Sequence, residues 1–409
     1  MRTVEQKKRV VVTGLGAITS AGPTADHLRR ALHGESTCLR EVSLFSTEGL
    51  RVHIGGEVER IPSSALATTA ARRRGSRSDL LALCAVEEAL TRSGLDLAQT
   101  SRERIATALG SSTGGMLETE SFYATRLEGR PAGRFRRQLL STSVGAPTEL
   151  VAACVGALGP RLSPSTACSS SAIAIAMGLL WIRSGAADVV LAGGTDALCR
   201  MTFTGFHALQ ALSPSPCQPF DRGRQGISLG EGAGVLVLES EEHATARGAA
   251  ILGEIAGAGI SCDAAHPTAP HAQSRGAIQA LSTALADAGV EPHELDYVNA
   301  HGTGTPQNDV CEATAIRTVL GEAAGRVPVS STKGLIGHLL GAAGAVECIV
   351  TLLAVAEGAA PPTFGLVDPD SECMLDHVLG RARTGTLATA ASNSYGFGGN
   401  NCTLIVRAA

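Results

Sequence analysis

The chain contains few aromatic residues and almost no lysine. Phenylalanine, tryptophan and tyrosine make up 3% of its 409 residues. Lysine occurs only as Lys7, Lys8 and Lys333, so 31 of the 34 basic residues are arginine. The ammonium of lysine is a compact point charge that a guanidinium does not reproduce. The one lysine in the interior of the chain, Lys333, is therefore a candidate functional residue.

Three further absences exclude whole classes of protein. A formal net charge of −4 leaves no basic excess for nucleic-acid binding. No apolar run reaches the ~20 residues of a membrane helix, and the first residues lack the long apolar region of a signal peptide. The eleven cysteines form no CxxC pair, so they predict neither a disulfide framework nor a metal site. We therefore expect a cytoplasmic protein that binds no nucleic acid, membrane or metal.

Strand-like and helical segments alternate along the chain, which predicts an α/β fold. Short apolar runs rich in β-branched residues occupy positions 9–13, 189–191, 235–238 and 404–406. Continuous apolar runs of this length are typical of strands in largely buried sheets. The 48 glycines indicate many tight turns and close backbone contacts between the segments.

The order of segments predicts two related halves. Helical patterns at 85–95 and 280–290 each end in a glycine C-cap followed by valine or leucine. A short strand follows each pattern, at 105–109 and 297–300, and a turn rich in glycine and threonine follows each strand. We therefore expect an N-terminal half at 1–245 and a C-terminal half at 246–409, packed as one unit.

A cysteine stands where a short polar turn enters an apolar helix. The turn Ser165 to Ala172 contains Cys168, and the apolar segment Ile173 to Trp181 follows it. The first turn of a helix has unpaired backbone N–H groups and is the positive end of the helix dipole. Both favour the thiolate over the thiol. Cys168 is therefore a candidate nucleophile.

Two turns of small residues in the second half each carry a histidine. The first, Asn299 to Pro306, contains His301, and the second, Ser331 to His338, contains Lys333 as well as His338. A cysteine and two histidines in such turns indicate an acyl-transfer site, because a thiolate attacks acyl groups and imidazoles handle the accompanying charge.

These segments resemble the β-ketoacyl-acyl-carrier-protein synthases, the condensing enzymes of type II fatty-acid and polyketide assembly. The resemblance runs nearly end to end and also includes the motifs at 11–16, 219–221, 230–234 and 393–400. It implies a thiolase-like fold with two duplicated βαβ-rich halves in a five-layered α-β-α-β-α arrangement. It also implies a dimer.

The resemblance assigns roles to the reacting groups. The residue matching Cys168 attacks an acyl thioester, and the backbone N–H groups of Cys168 and Phe397 stabilise the carbonyl oxygen as it becomes negative. The Nε2 atoms of His301 and His338 stabilise the enolate left when a malonyl thioester loses carbon dioxide. The set of residues expected at the site is completed by Lys333 with its expected ionic partners, Asp309 and Glu347.

The resemblance also implies how substrates are bound. They arrive on the phosphopantetheine of an acyl carrier protein, so no further cofactor is expected. Thr303 and Thr305 correspond to residues that bind this arm, although each can also cap a turn. The remaining predictions are Phe397 as a gate, Phe206 as a further contact, His266 beside the entrance, and Thr113 at the floor of the acyl cavity, where a small side chain admits longer or unsaturated chains.

Four arginines precede the helical pattern of the first half. Arg72, Arg73, Arg74 and Arg77 form a local basic cluster, and the resemblance implies that part of the carrier-docking surface lies there. A charge run of this kind can also be an ordinary solvated face. Both interpretations remain open at the level of the sequence.

Three other functions fit the same resemblance less well. A chain-length partner subunit shares the fold but lacks the nucleophile, whereas Cys168, His301 and His338 are all present. A coenzyme A-dependent thiolase uses a second cysteine near its C-terminus, whereas Phe397 and Asn400 occupy the corresponding turn and Cys402 lies beyond it. A malonyl decarboxylase keeps both histidines and loses the cysteine. The subunit arrangement, a homodimer or a heterodimer with a chain-length partner, stays open.

Overall fold

The computed structural model describes residues 7–409 and contains one large mixed sheet of eleven strands. The described residues form fifteen strands: β1 (Val10–Ile18), β2 (Arg40–Glu41), β3 (Ile54–Gly55), β4 (Ile105–Gly110), β5 (Arg161–Leu162), β6 (Val189–Asp196), β7 (Gly232–Ser240), β8 (Gly253–Cys262), β9 (Tyr297–Asn299), β10 (Pro328–Ser330), β11 (Ala359–Ala360), β12 (Asp376–His377), β13 (Arg383–Thr384), β14 (Thr389–Gly396) and β15 (Asn400–Arg407). Strands β2 and β3 pair with each other in one small sheet and β11 and β13 in another, and the remaining eleven form the large sheet.

The α-helices lie between and over these strands. They are α1 (Ala25–Leu32), α2 (Thr69–Arg74), α3 (Arg77–Ser93), α4 (Met116–Leu127), α5 (Phe135–Gln138), α6 (Ala146–Val155), α7 (Ser170–Arg183), α8 (Arg200–Ala208), α9 (Glu241–Ala246), α10 (Arg275–Ala288), α11 (Pro306–Leu320), α12 (Lys333–Ile336) and α13 (Ala343–Glu357).

The sheet repeats the same strand order in the two halves of the chain. One half runs β5-β4-β6-β7-β1 and the other runs β10-β9-β14-β15-β8, with β12 added beyond β10. In each half the first three strands of that order are parallel and the last two pairings are antiparallel. The predicted duplication is therefore confirmed at the level of strand order and direction.

The hydrophobic core is divided into layers by the sheet. One apolar cluster joins α3 and α6 to one face of β4, β6 and β7, and another joins α10 and α11 to one face of the second half. Between the opposite faces lies the largest cluster, which contains α7 and α13. The order helix, sheet, helix, sheet, helix agrees with the five-layered arrangement expected from the sequence.

The two half-sheets are joined rather than separate. In each half the strand that comes first in the sequence, β1 or β8, lies at the edge facing the other half. These two strands pair antiparallel at residues 11–12 and 253–254. The predicted boundary at 245/246 falls at the end of α9, between the last strand of one repeat and the first of the next, and it stays a prediction. The first six residues of the predicted N-terminal half lie outside the described residues.

One segment of the described chain is long and apolar enough to cross a membrane. It is the 18-residue stretch Leu340–Glu357, which ends with α13, and 83% of it is buried inside the protein. Because α13 packs against α7 and both half-sheets, we interpret it as a buried core helix.

Candidate active site

The turn that carries Cys168 is held in a strained conformation. A short 3₁₀ turn, Ala167–Ser169, leads into α7 at Ser170. Ala167 has φ of +53°, which is unusual for a residue with a side chain. Hydroxyl groups of Ser112 and Ser170 donate hydrogen bonds to its carbonyl oxygen, at 3.2 and 2.6 Å. These contacts fix the backbone directly before Cys168 and place the thiol at the entry to the helix.

The expectation that this position favours the thiolate is wrong for the free protein. The Cys168 side chain is 7% exposed, and burial raises the pKa of the thiol to about 11. The Lys333 ammonium and backbone N–H groups of Phe397 and Cys168 lower the pKa, but their effect is smaller than that of burial. The same two N–H groups were expected to bind a developing oxyanion, and their convergence on the sulfur is compatible with that role.

Both site histidines are neutral, and both present Nε2–H as a donor. Burial, followed by the Lys333 ammonium, holds the pKa of His301 and His338 well below the usual value. His338 Nδ1 accepts a hydrogen bond of 3.0 Å from the Leu340 backbone N–H. His301 Nδ1 lies 3.3 Å from Lys333 Nζ, a group that donates only. The ring hydrogen is therefore on Nε2 in both residues.

The donor on His338 has no partner in the described structure. His338 Nε2 is buried and makes no hydrogen bond within the part of the chain described here. The His301 and His338 rings meet edge to face, with centroids 5.3 Å apart. One ring nitrogen of each histidine and the Cys168 sulfur lie within 4.8 Å of one another. A buried N–H without a partner is unfavourable, so this geometry is suited to a ligand oxygen beside the sulfur.

Lys333 is fully buried and pairs with Glu347, as predicted. Lys333 Nζ donates to a carboxylate oxygen of Glu347 and to the backbone carbonyl of His301. Burial raises the pKa of Glu347 to about 7, against the effect of the ammonium, which lowers it. The ammonium therefore sets the His301 tautomer and adds positive charge near the thiol.

The prediction that Asp309 also pairs with Lys333 is wrong. Asp309 accepts hydrogen bonds from the backbone N–H groups of Thr303, Gly304 and Phe220, and its nearest cationic group is Arg224, at 3.8 Å. It lies in the first turn of α11, from which its carboxylate points back to the turn after His301. Asp309 therefore fixes the backbone of the turn at Thr303 and does not pair with the Lys333 ammonium.

Glu312, one helical turn after Asp309, is a site residue that was not predicted from the sequence. Its carboxylate accepts hydrogen bonds from the N–H groups of His301 and Gly302, at 2.8 and 2.7 Å, and from Asn393 at 3.1 Å. Residues three apart share a helix face, so the Asp309–Glu312 spacing, together with the helix start at Pro306, was a signal for it. Glu312 holds the backbone at His301.

A cavity of about 340 Å³ opens onto the reacting groups. Of the predicted site residues it is lined by Cys168, His301, His338, Thr303, Thr305, Phe206 and Phe397. The Phe206 and Phe397 rings stack with centroids 5.5 Å apart. The Thr303 and Thr305 hydroxyls lie 2.9 Å apart, and Thr305 also caps α11 by accepting from Asn308. The structure therefore brings these seven side chains together around one opening.

Two predicted substrate residues do not line this cavity. The Thr113 hydroxyl and backbone N–H both donate to Asp196, at 2.8 and 2.9 Å, and its place at the floor of the acyl cavity stays a prediction. His266 is exposed, and its Nδ1 accepts from the N–H groups of Thr268 and Ala269. Those two residues do line the cavity, so His266 supports the rim of the opening without facing into it.

Arg77 is not part of an exposed basic surface, contrary to the prediction. Its side chain is 16% exposed and pairs with the fully buried Glu231 at 2.6 Å. Arg72, Arg73 and Arg74 lie on α2 and are exposed. The sequence cluster therefore divides into one internal ion pair and three surface groups.

Cys402, the other cysteine relevant to the thiolase alternative, lies in β15 and is fully buried. It does not line the cavity. The site accordingly has one thiol, two neutral imidazole donors and one ammonium. The thiol and imidazoles are also potential metal ligands, but an adjacent ammonium opposes a further cation. That no metal is needed stays a prediction.

Most of the chain matches a known protein family. Residues 7–244 match the family model described as "Beta-ketoacyl synthase, N-terminal domain", and residues 252–367 match "Beta-ketoacyl synthase, C-terminal domain". The 3-oxoacyl-[acyl-carrier-protein] synthase 2 of Synechocystis sp. is 38% identical over 406 residues, which is 98% of each chain.

Solved structures give the same result for the fold. The ishigamide ketosynthase/chain length factor superposes with a TM-score of 0.90 at 35% identity, covering 98% of this chain and all of that one. A chain of the AntDE:AntF structure, a type II polyketide synthase acyl-carrier protein in complex with its ketosynthase, gives a TM-score of 0.89 at 29% identity, covering 99% of this chain and 100% of that one.

Proposed function

Since the chain belongs to the beta-ketoacyl synthase family, we propose that it extends an acyl chain by two carbons in a decarboxylative Claisen condensation. The acyl group is carried on Cys168, and the extender is malonyl-acyl carrier protein. The observation that carries the proposal is the meeting of the Cys168 thiol with two neutral histidines that both present Nε2–H in one cavity.

In the first half-reaction the Cys168 sulfur attacks the thioester carbonyl of an acyl carrier protein. A carbon–sulfur bond to Cys168 forms, the bond to the carrier arm breaks, and the proton of the thiol ends on the departing carrier thiol. Because burial raises the thiol pKa, the attack depends on the Lys333 charge and on the N–H groups of Cys168 and Phe397. Fixed donors of this kind stabilise the oxyanion of the tetrahedral intermediate.

In the second half-reaction the malonyl group loses carbon dioxide and leaves an enolate. The Nε2–H groups of His301 and His338 donate to its oxygen, and the enolate carbon attacks the acyl carbonyl on Cys168. The new carbon–carbon bond forms as the carbon–sulfur bond breaks, and the cysteine takes up a proton from solvent. Neutral imidazoles suit this step, because they donate hydrogen bonds to the enolate oxygen without acting as strong acids at pH 7.

Reconstitution tests the proposed function. Purified protein with a short acyl-carrier protein and malonyl-carrier protein should yield a β-ketoacyl-carrier protein two carbons longer, with one carbon dioxide released per product. Mass spectrometry of the carrier protein follows both substrates and product. Release of free coenzyme A from acyl-coenzyme A pairs, without carbon dioxide, would instead indicate the thiolase alternative.

We place the carrier-docking surface on α2 and extend it to α5. The two helices contact each other, and Gln138 of α5 donates to the Gly75 carbonyl at the end of α2. Six exposed arginines lie on or beside these helices, and none forms a salt bridge within residues 7–409: Arg72, Arg73, Arg74, Arg134, Arg136 and Arg137. A concentrated positive patch on a chain of net charge −4 suits an acidic partner.

Reversing two of these charges should weaken docking and leave the chemistry intact. Arg73→Glu with Arg74→Glu should raise KM for the carrier protein about tenfold at low salt and flatten its salt dependence, because exposed charges act mainly on encounter. On a small pantetheine thioester, kcat should stay unchanged. Steady-state kinetics at several ionic strengths check this.

A charge-matched control is available on other surfaces. Arg30 and Arg326 are both exposed and have no salt-bridge partner among the described residues. Arg30→Glu with Arg326→Glu therefore changes net charge equally and should leave KM for the carrier protein near its native value. Equal effects of the two double variants would assign the loss to net charge and remove α2 from the docking surface.

The proposal also covers the oligomeric state of the protein, its location in the cell and its need for a cofactor. We propose that the chain acts as a dimer, with itself or with a chain-length partner, in the cytoplasm and with no cofactor besides the phosphopantetheine of its substrates. Exposed apolar side chains near α4 and α5, Tyr123 (62% exposed), Leu127 (89%) and Leu140 (70%), support a covering subunit.

A further inference from the structure

Asp196, at the end of β6, is a buried carboxylate bound by five donors. It is 0% exposed. The hydroxyl of Ser111 and the N–H and hydroxyl of Thr113 donate to Oδ1 at 2.7, 2.9 and 2.8 Å. The Ser112 N–H is shared between both oxygens, and the Gly341 N–H donates to Oδ2 at 2.6 Å. No arginine or lysine within the described residues forms a salt bridge with it.

Two hydrogen-bonded arms extend from Asp196, and the first of them runs through Ser112 to the nucleophile. Ser112, whose N–H binds Asp196, uses its hydroxyl to donate to the Ala167 carbonyl. Ala167 has the positive φ that directly precedes Cys168, and a residue in such a conformation persists only where its surroundings hold it. The backbone conformation of the nucleophile turn therefore depends on where Asp196 holds Ser112.

The other arm leads to His338. Gly341 lies three residues after His338, and the intervening Leu340, with φ of +54°, supplies the N–H that fixes His338 Nδ1. A Cβ at position 341 would lie 2.6 Å from Asp196 Oδ2 and 2.8 Å from the Ser112 nitrogen. The contact is therefore so close that only glycine fits, and the segment holding the His338 tautomer is anchored on the same carboxylate.

We propose that Asp196 is a positioning residue that fixes the nucleophile turn and the His338 turn relative to each other, so that both half-reactions depend on it. The inference rests on the proposed function, because it assigns one turn to each half-reaction. A carboxylate suits the position, since it offers only acceptors and satisfies several donors at once. An asparagine would turn an NH₂ group toward a donor.

The two arms predict a pattern that a purely structural role would not give. Ser112→Ala removes one of the two hydroxyls that hold the Ala167 carbonyl and should slow acyl loading about tenfold, the effect of one good hydrogen bond, with malonyl decarboxylation little changed. Gly341→Ala places a Cβ against both Asp196 Oδ2 and Ser112 and should slow both steps. Asp196→Asn should slow both by about 10²-fold, as expected for displacement of reacting groups by about 1 Å, while KM for small thioesters stays near native.

The measurements are single-turnover acylation of Cys168, followed by intact mass, and conversion of malonyl- to acetyl-carrier protein. Asp188→Asn serves as the matched control, because Asp188 precedes β6 but forms an exposed pair with Arg104. It should leave both rates unchanged. Rates are normalised to folded protein from thermal melts, so a loss of folding is not read as a loss of chemistry.

Each result decides the proposal. Folded Asp196→Asn at native rates would overturn it, as would equal slowing of both steps by Ser112→Ala, or a native rate of either step in Gly341→Ala. If Asp196→Asn does not fold, the contrast between Ser112→Ala, which should slow loading, and Gly341→Ala, which should slow both steps, decides alone. Inactivity of the native protein in both assays would count against the proposed function, which separates the two failures.

Discussion

Replacement of Cys168 by alanine should abolish condensation. Without the sulfur no acyl-enzyme forms, so the rate should fall by at least about 10⁴-fold, as expected for loss of a nucleophile that acts as part of a unit. Decarboxylation of malonyl-carrier protein should persist, because His301 and His338 keep their Nε2–H donors. Product formation and conversion of malonyl to acetyl groups, measured in parallel, show the two effects.

The control is a cysteine outside the cavity. Cys84 lies on α3, and its sulfur contacts the Pro62 carbonyl. Cys84→Ala should condense at the native rate. Retention of condensation in Cys168→Ala, or loss of decarboxylation to the same extent as condensation, would contradict the division of labour between the thiol and the histidines.

Removal of a histidine donor should act mainly on decarboxylation. His338→Ala should slow it by about 10²–10³-fold, the usual effect of losing one donor to a developing oxyanion. Acyl loading should suffer less, because the N–H groups at Cys168 and Phe397 remain. Loading is measured as adduct mass on the protein and decarboxylation as acetyl-carrier protein.

A histidine on the surface provides the comparison. His33 forms an exposed pair with Glu357, and His33→Ala should leave both half-reactions at native rates. His301→Ala should resemble His338→Ala, with an added effect through Lys333, which loses its contact with Nδ1. Equal loss of loading and decarboxylation in His338→Ala would indicate a structural role for the ring.

The sequence predicted the architecture better than it predicted individual strands. The helix patterns with glycine C-caps correspond to α3 and α10, which end at Gly94 and Gly289 in left-handed conformations. Strand β8 was missed because it is rich in glycine and alanine. Its Gly257 and Gly259 are needed because α10 packs so closely that a Cβ would lie 2.7 Å or less from backbone oxygens of α10. The close packing of α10 requires small residues in β8, and a run of glycine and alanine is not a sequence pattern typical of a strand.

The order of the turns predicted which groups meet, but not their ionisation or partners. The thiol pKa was misjudged because helix entry is visible in the sequence, whereas desolvation depends on the surrounding fold. Asp309 and Glu312 share one face of α11, and the spacing alone does not say which groups they meet. Arg77 looked like a surface residue because its partner, Glu231, is 154 positions away.

Mapping the acyl group trapped on the protein shows whether Cys168 carries the chain that is extended. Protein incubated with acyl-carrier protein, with malonyl-carrier protein withheld, is digested and its peptides are analysed by mass spectrometry. We predict one acyl adduct, on the peptide containing Cys168, that is discharged as a two-carbon-longer product when malonyl-carrier protein is added. An adduct on another cysteine, such as the exposed Cys262, or a Cys168 adduct that malonyl-carrier protein does not discharge, would contradict it.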